Sequence, residues 1–301
     1  MRTEEKQLKL IWKKIGQLDR HYYKNAIEPK GAIVSDSIPY INDDNPMHEC
    51  EVVLPKENNT MLPVIINIHG GAWIYGEKDS YYKYYCMELA QFNYAVISIN
   101  YRLAFESPFP SMIEDIFAVF KWLEHQNQFN LDLNNVYLVG DSAGAHLAAL
   151  CAQINQSTEL QNIYKVKSPS FSIRGLGLSS GVYDFDELMT GNNELPLKQT
   201  LLEVMFARID YKNNPIYPFS SVSKNLRKDF TPCYLVSSLA DPLTHETQRF
   251  VEELKEKECT FKAHFFEKSL ELPHVFNLKS IYPQSDLVNS EMIAFFESLK
   301  A

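Results

Sequence analysis

Between residues 62 and 100 the chain carries two short, nearly unbroken apolar runs, Leu62–Ile68 and Tyr94–Asn100, with helical spacing at Tyr82–Phe92 between them. Apolar runs of this length suit strands buried on both faces, as in the middle of a parallel sheet. The alternation continues downstream. Met112–His125 reads as a helix, Val136–Val139 as a strand, Ala143–Gln153 as a helix and Gly175–Leu178 as a strand. Tyr234–Ser237 is a further strand, followed by a helix at Thr244–Lys257, a strand at Phe261–Phe266 and a closing helix at Glu291–Leu299. Repeated strand–helix alternation predicts a mostly parallel central sheet with helices on both faces.

Upstream, Ala32–Ile41 and Glu49–Leu54 read as two more strands, broken by the polar, Pro-containing segment Asn42–Pro46. Before them, Glu4–Tyr23 sets Leu8, Ile11, Trp12, Ile15 and Leu18 on one stripe of an otherwise charged helix. Residues 184–223 depart from the alternation: apolar helical spacing at Leu197, Leu201, Val204 and Met205 gives way to Pro215 and Pro218. That region reads as an insertion over the top of the sheet or as an ordinary long crossover.

Composition adds limits. At 301 residues, 45% hydrophobic and 22% charged, the chain has the make-up of an ordinary globular protein, and residues 1–301 are read as a single domain. A net charge of -9 argues against nucleic acid and against stable association with an anionic membrane, since both would repel it. The first twenty residues lack the uninterrupted apolar core of a signal peptide, and no stretch approaches the ~20 apolar residues that span a bilayer. Cys50, Cys86, Cys151, Cys233 and Cys259 are dispersed, with no CxxC pair. Together these features point to reduced thiols and a cytoplasmic location. No His, Cys, Asp or Glu cluster has metal-ligand spacing, so neither a metal nor a cofactor is expected.

The strongest chemical signal is Gly140-Asp141-Ser142-Ala143-Gly144, set between the strand Val136–Val139 and a helix. A serine on a sharp strand-to-helix turn is lifted clear of the sheet, and small neighbours permit the turn. The bland reading is a capped, Gly-rich turn. A second signal, His69-Gly70-Gly71-Ala72-Trp73, follows the strand Leu62–Ile68. Glycines there let backbone N–H groups approach a developing oxyanion, with Gly70, Gly71 and Ala143 as the expected donors. His69 is expected to order the loop, and Trp73 to pack.

A serine hydroxyl needs a base, and the base needs a carboxylate to hold it. In this topology the order should be Ser, then Asp or Glu, then His. Among the eight histidines, His21, His48, His69 and His125 precede the serine. His146 is anchored on the outgoing helix, His245 lies early in a helix and His264 inside a strand. His274, in a loop after the last strand, is the base. Asp241, just past Tyr234–Ser237 and before Pro242, is the acid, although that position also suits a helix cap. Glu246 and Asp286 are weaker alternatives. Tyr81, Tyr82, Tyr84 and Tyr85 either pack under a cap or line an acyl or aryl pocket.

These segments, with Tyr101-Arg102-Leu103-Ala104 and Ala240-Asp241-Pro242, resemble the hormone-sensitive-lipase-like esterases and the related feruloyl-esterase-like and arylformamidase branches of the α/β-hydrolases. The resemblance runs from about residue 50 to the C-terminus. It implies an α/β-hydrolase fold, carboxylester hydrolysis without a cofactor, and a small helical cap built from residues 1–30 and 184–223. Ala72 stands where many members carry a third glycine, Ala145 where many have glycine after the elbow, and Val275 where glycine commonly follows the histidine.

The expected function is that of a serine esterase. Ser142, His274 and Asp241 form the catalytic triad, acting through an acyl-enzyme on a small ester with a short-chain acyl or aryl group. Amide or peptide cleavage by the same residues is the nearest alternative, and a silent binding protein on the same scaffold is another class. A homodimer is compatible with the sequence.

Overall fold

The computed structural model describes residues 1–57, 60–79, 81–191, 193 and 195–300. Its strands are β1 (Ala32–Val34), β2 (Ile38–Pro39), β3 (Glu49–Pro55), β4 (Leu62–Ile68), β5 (Ala95–Ile99), β6 (Leu131–Asp141), β7 (Ile173–Ser179), β8 (Cys233–Ser238) and β9 (Phe261–Phe266). The α-helices are α1 (Thr3–Asn25), α2 (Tyr81–Ala90), α3 (Ser111–His125), α4 (Ala143–Asn155), α5 (Thr158–Tyr164), α6 (Phe185–Thr190), α7 (Lys198–Met205), α8 (Thr244–Glu256) and α9 (Pro283–Glu297).

All these strands join one sheet in the order β1-β3-β5-β4-β6-β7-β8-β9, with β2 also on β3. β3 runs antiparallel to its neighbours, and β5 through β9 run parallel. The unbroken apolar pattern of β4 has a direct cause. Val64, Ile66 and Ile68 enter one core while Ile65 enters the other, so both faces of the strand are covered. The chain leaves β4 toward β5 on one side, and β6 pairs with β4 on the other. In an open α/β sheet, the crevice beyond the strand ends at such a reversal is where ligands bind. Both glycine motifs lie there, on the ends of β4 and β6.

The expected mostly parallel sheet with helices on both faces is present, and several boundaries differ. Ala32–Ile41 is two short strands rather than one. Ser35 interrupts it: its Oγ accepts the Val52 N–H at 3.0 Å, taking a place a backbone carbonyl would fill in a regular ladder. β6 begins at Leu131, where polar residues hide the strand pattern. α5 was not anticipated; Ser157 caps it by accepting the Leu160 N–H at 3.3 Å. α9 starts at Pro283, eight residues before the apolar signal. Leu18 is 70% exposed and so lies off the buried stripe of α1, whereas Leu8 is fully buried.

Among the described residues of 184–223 lie α6, α7 and 3-10 turns at Tyr211–Asn213 and Tyr217–Phe219. α1 reaches this region through an ion pair of Arg2 with Glu203 at 2.6 Å. It also reaches the loop after β4, where Trp12 stacks on Tyr75 (ring centroids 5.9 Å apart) and Asp19 accepts the Tyr75 hydroxyl at 3.3 Å. All five cysteines are free and buried. Among the described residues, no helix is long and apolar enough to cross a membrane.

Candidate active site

Ser142 sits between β6 and α4 with φ 51° and ψ -117°, a left-handed conformation that costs an L-residue about 1–3 kcal/mol. Its N–H donates to the Ser179 carbonyl at 2.8 Å, fixing the turn against β7. The helix can leave so abruptly because Gly144 packs on the end of β4: a Cβ there would strike the carbonyl oxygens of Ile68 and His69. The first amides of α4, including that of Ala143, are left without intrahelical partners and face outward beside the serine.

The loop after β4 is bent through three consecutive left-handed residues, Gly71 (φ 112°), Ala72 (φ 49°) and Trp73 (φ 61°). At Gly71 a side chain would collide with the backbone carbonyl of Tyr75. Among the described residues, the amides of Gly71 and Ala72 donate to no protein acceptor. Gly70 differs, and the expectation that its amide serves an oxyanion is corrected. Its N–H is shared between the Tyr82 hydroxyl at 2.8 Å and the Asp141 carboxylate at 3.0 Å. Tyr82 in turn donates to the other Asp141 oxygen at 3.0 Å. This closed triangle ties the loop to the serine turn. Sequence reasoning missed both the role of Tyr82 and the availability of Ala72.

His274 Nδ1 lies 2.8 Å from Asp241 Oδ2, and the other Asp241 oxygen accepts the Leu243 N–H at 2.7 Å. Capping and imidazole-holding therefore do not compete, since each takes one oxygen. Burial alone would lower the His274 pKa, but the Asp241 carboxylate, helped by Asp141, outweighs it and holds the imidazole above its ordinary value. Burial would raise Asp241, yet His274, Ser180 and the Leu243 amide bring it below the usual carboxylate range. Val275 takes the left-handed conformation (φ 52°), as Ala72 does. Of the three positions where the resemblance leads one to expect glycine, 72 and 275 thus keep the backbone that glycine favours, while Ala145 is helical.

Asp141 is buried, and desolvation pushes it up to about 7 against the pull of Tyr82, His274 and the Gly70 amide. His69 is fully buried; its Nδ1 donates to the Gly70 carbonyl at 2.7 Å and its ring stacks on Tyr101, 4.1 Å between centroids. That geometry orders the loop. Trp73 donates its indole N–H to His146. Tyr81, Tyr82 and Tyr85, all on α2, are buried in the core. Of the other histidines and acids considered, His264 pairs with Glu291 at 3.0 Å, Glu246 is buried beside Glu187 and Asp184, and Asp286 is exposed in the first turn of α9. No hydrogen bond joins the Ser142 hydroxyl to His274 among the described residues; such bonds are often long before substrate binds. Among the same residues, no group of three or more His, Cys, Asp or Glu is arranged to hold a metal ion.

An open, mostly parallel sheet with a serine on a strand-to-helix turn, a loop of free amides beside it and a carboxylate-held histidine is the architecture of an α/β-hydrolase of the esterase type. Residues 50–256 match the BD-FAE family model, and the chain belongs to that family. In structure it is similar to esterase B from Lactobacillus rhamnosis, with 28% identity, coverage of 100% of this chain and 97% of that one, and a TM-score of 0.92. A tributyrin phosphonate form of esterase B aligns at 27% identity, covering 99% and 95% of the two chains, with a TM-score of 0.91. In sequence it is similar to esterase LipI of Mycobacterium tuberculosis, 29% identical over 197 residues, which is 63% of this chain. The chain spans less than two thirds of the length of the curated relatives it matches, 59% in the case of LipI.

Proposed function

We propose that this chain hydrolyses small carboxylic esters by two-step acyl transfer, with Ser142 as nucleophile, His274 as base and Asp241 as its carboxylate partner. The observation that carries the reading is the 2.8 Å contact between Asp241 and His274 Nδ1, which leaves Nε2 to act at the strained Ser142 turn. Ser142 Oγ bonds to the acyl carbon as its proton passes to His274 Nε2. The carbonyl oxygen becomes an oxyanion facing the amides of Gly71, Ala72 and Ala143, each donor being worth about 2.7–4 kcal/mol to such a transition state. His274 then protonates the leaving alcohol, and water, deprotonated by the same imidazole, releases the acid.

The cap consists of α1 and residues 184–223. Its support is the linkage of α1 to Tyr75 on one side and to Glu203 on the other. A cap drawn over the site favours short acyl groups, and the tributyrin phosphonate bound by esterase B is an analogue of a short-chain ester. The cytoplasm is the compartment that suits five unpaired thiols.

The test is kcat/KM for acetyl, butyryl, octanoyl and palmitoyl p-nitrophenyl esters, with the anilide of the preferred acyl group alongside. The maximum should fall at acetyl or butyryl, with the anilide slower. A maximum at octanoyl or beyond removes the short-chain assignment, and a faster anilide turns the reading to an amidase.

A further inference from the structure

Trp73 and His146 take no part in the chemistry just described, yet both are fully enclosed beside it. The Trp73 indole nitrogen lies 3.1 Å from His146 Nδ1, and His146 Nε2 lies 2.8 Å from the Ser220 carbonyl. An indole N–H can only donate and a carbonyl can only accept. His146 is therefore the neutral tautomer with its proton on Nε2, receiving at one nitrogen and donating at the other. Burial, which pushes its pKa down to about 4, keeps it in that form across the neutral range. Phe185, the first residue of α6, closes the remaining side, its ring centroid 5.3 Å from that of Trp73 and 5.0 Å from that of His146.

Three segments meet at this point: the loop bearing Gly71 and Ala72, the first turn of the helix behind Ser142, and residues 184–223. The Gly70 end of the loop is tied to Tyr82 and Asp141, and the Gly71 carbonyl accepts the Ile74 and Tyr75 amides; Ala72 and Trp73 need a hold of their own. Ala72 and Trp73 hold left-handed backbone that non-glycine residues leave unless their surroundings fix it. Among the described residues, the Trp73 carbonyl accepts the Ala104 N–H at 2.8 Å, and its side chain, buried in the main core, donates to His146 and meets Phe185 edge-on.

We propose that His146 is a positioning residue for the oxyanion site. It fixes Trp73, and through Trp73 it aims the Gly71 and Ala72 amides at the place where negative charge develops. This rests on the reading of Ser142 as nucleophile. Donors aimed in advance act on the transition state more than on the bound ester, so their misalignment should lower kcat and leave KM nearly unchanged. A displacement of about 1 Å at such a site can cost on the order of 100-fold.

The experiment compares His146→Leu, His146→Asn, Trp73→Phe and the His146→Leu/Trp73→Phe double variant on p-nitrophenyl butyrate. Reactive sites are counted by phosphonate titration and melting temperatures are recorded. His146→Leu and Trp73→Phe should each lower kcat per titrated site by about 10- to 100-fold with KM changed by less than about 3-fold. The double variant should be no slower than the slower single, since both substitutions break one connection. Asparagine at 146, which can still accept the indole N–H, should lie nearer to the parent protein than leucine does. If His146→Leu does not fold, Trp73→Phe, which keeps an aromatic ring against Phe185, decides the matter alone. A Trp73→Phe protein with unchanged kcat, losses confined to KM, multiplicative losses in the double variant, or equal losses for asparagine and leucine overturn the proposal. Activity surviving in Ser142→Ala would instead remove the reading beneath it, so the two failures are distinguishable.

Discussion

Alanine at position 142 should reduce hydrolysis of p-nitrophenyl esters by about 10⁵- to 10⁶-fold, because loss of the nucleophile leaves only binding and the oxyanion donors to act. The same substitution should shift stability by no more than about 1 kcal/mol. The Ser142 hydroxyl makes no side-chain hydrogen bond among the described residues, and the turn is fixed by the backbone bond to Ser179 and by the close approach of Gly144. The conformational cost at φ 51° falls on alanine as it does on serine. Kinetics and thermal melting on the same preparation test both halves. Parent-like turnover in a folded Ser142→Ala protein would remove Ser142 from the mechanism.

Asp241→Asn should lower kcat by about 10⁴-fold, for a reason specific to this site. Asp241 Oδ1 already accepts the Leu243 amide at 2.7 Å. An asparagine would keep its carbonyl oxygen there and turn its NH₂ toward His274. The imidazole would then have to accept at Nδ1 and carry its proton on Nε2, facing the serine it should deprotonate. The pH profile gives a second reading of the same contact. The base must be neutral, so kcat/KM should fall as pH drops through the His274 pKa. With Asp241 charged, that limb should lie above the ~6.5 of an ordinary imidazole. Removing the charge should move the limb to lower pH. A limb that stays in place in Asp241→Asn, or a loss of less than about 10-fold, would show that Asp241 does not govern His274.

Much of this arrangement is legible in the residues. Apolar runs marked β4 and β5 because burial on both faces leaves no polar register, and the elbow and the loop after β4 were marked by glycines that close approaches demand. The order Ser142, Asp241, His274 then left few partners to choose among. What escaped was direction. Nothing in His69-Gly70-Gly71 says which amide faces inward, and in the fold Gly70 spends its N–H on Asp141 and Tyr82. Tyr82 read as one more aromatic residue in α2, since its partner lies 59 positions away. Leu18 fitted the stripe of α1 by spacing and is exposed, because the covered face runs through Leu8, Trp12, Gly16 and Asp19 and leaves Leu18 to one side. α5 carries its signal in a cap, Ser157, rather than in apolar periodicity.

The placement of α1 has a consequence for biosynthesis. The helix precedes everything it packs against, with Tyr75 and Glu203 both downstream of it. At a synthesis rate of about 5–20 residues per second, Arg2 waits roughly 10–40 s for Glu203 to emerge. Tyr75, the partner of Trp12 and Asp19, emerges far sooner, so the helix gains its contacts in stages. The segment made first is thus completed late, its contact with Glu203 closing only after the central strands β4 to β7 have been synthesised.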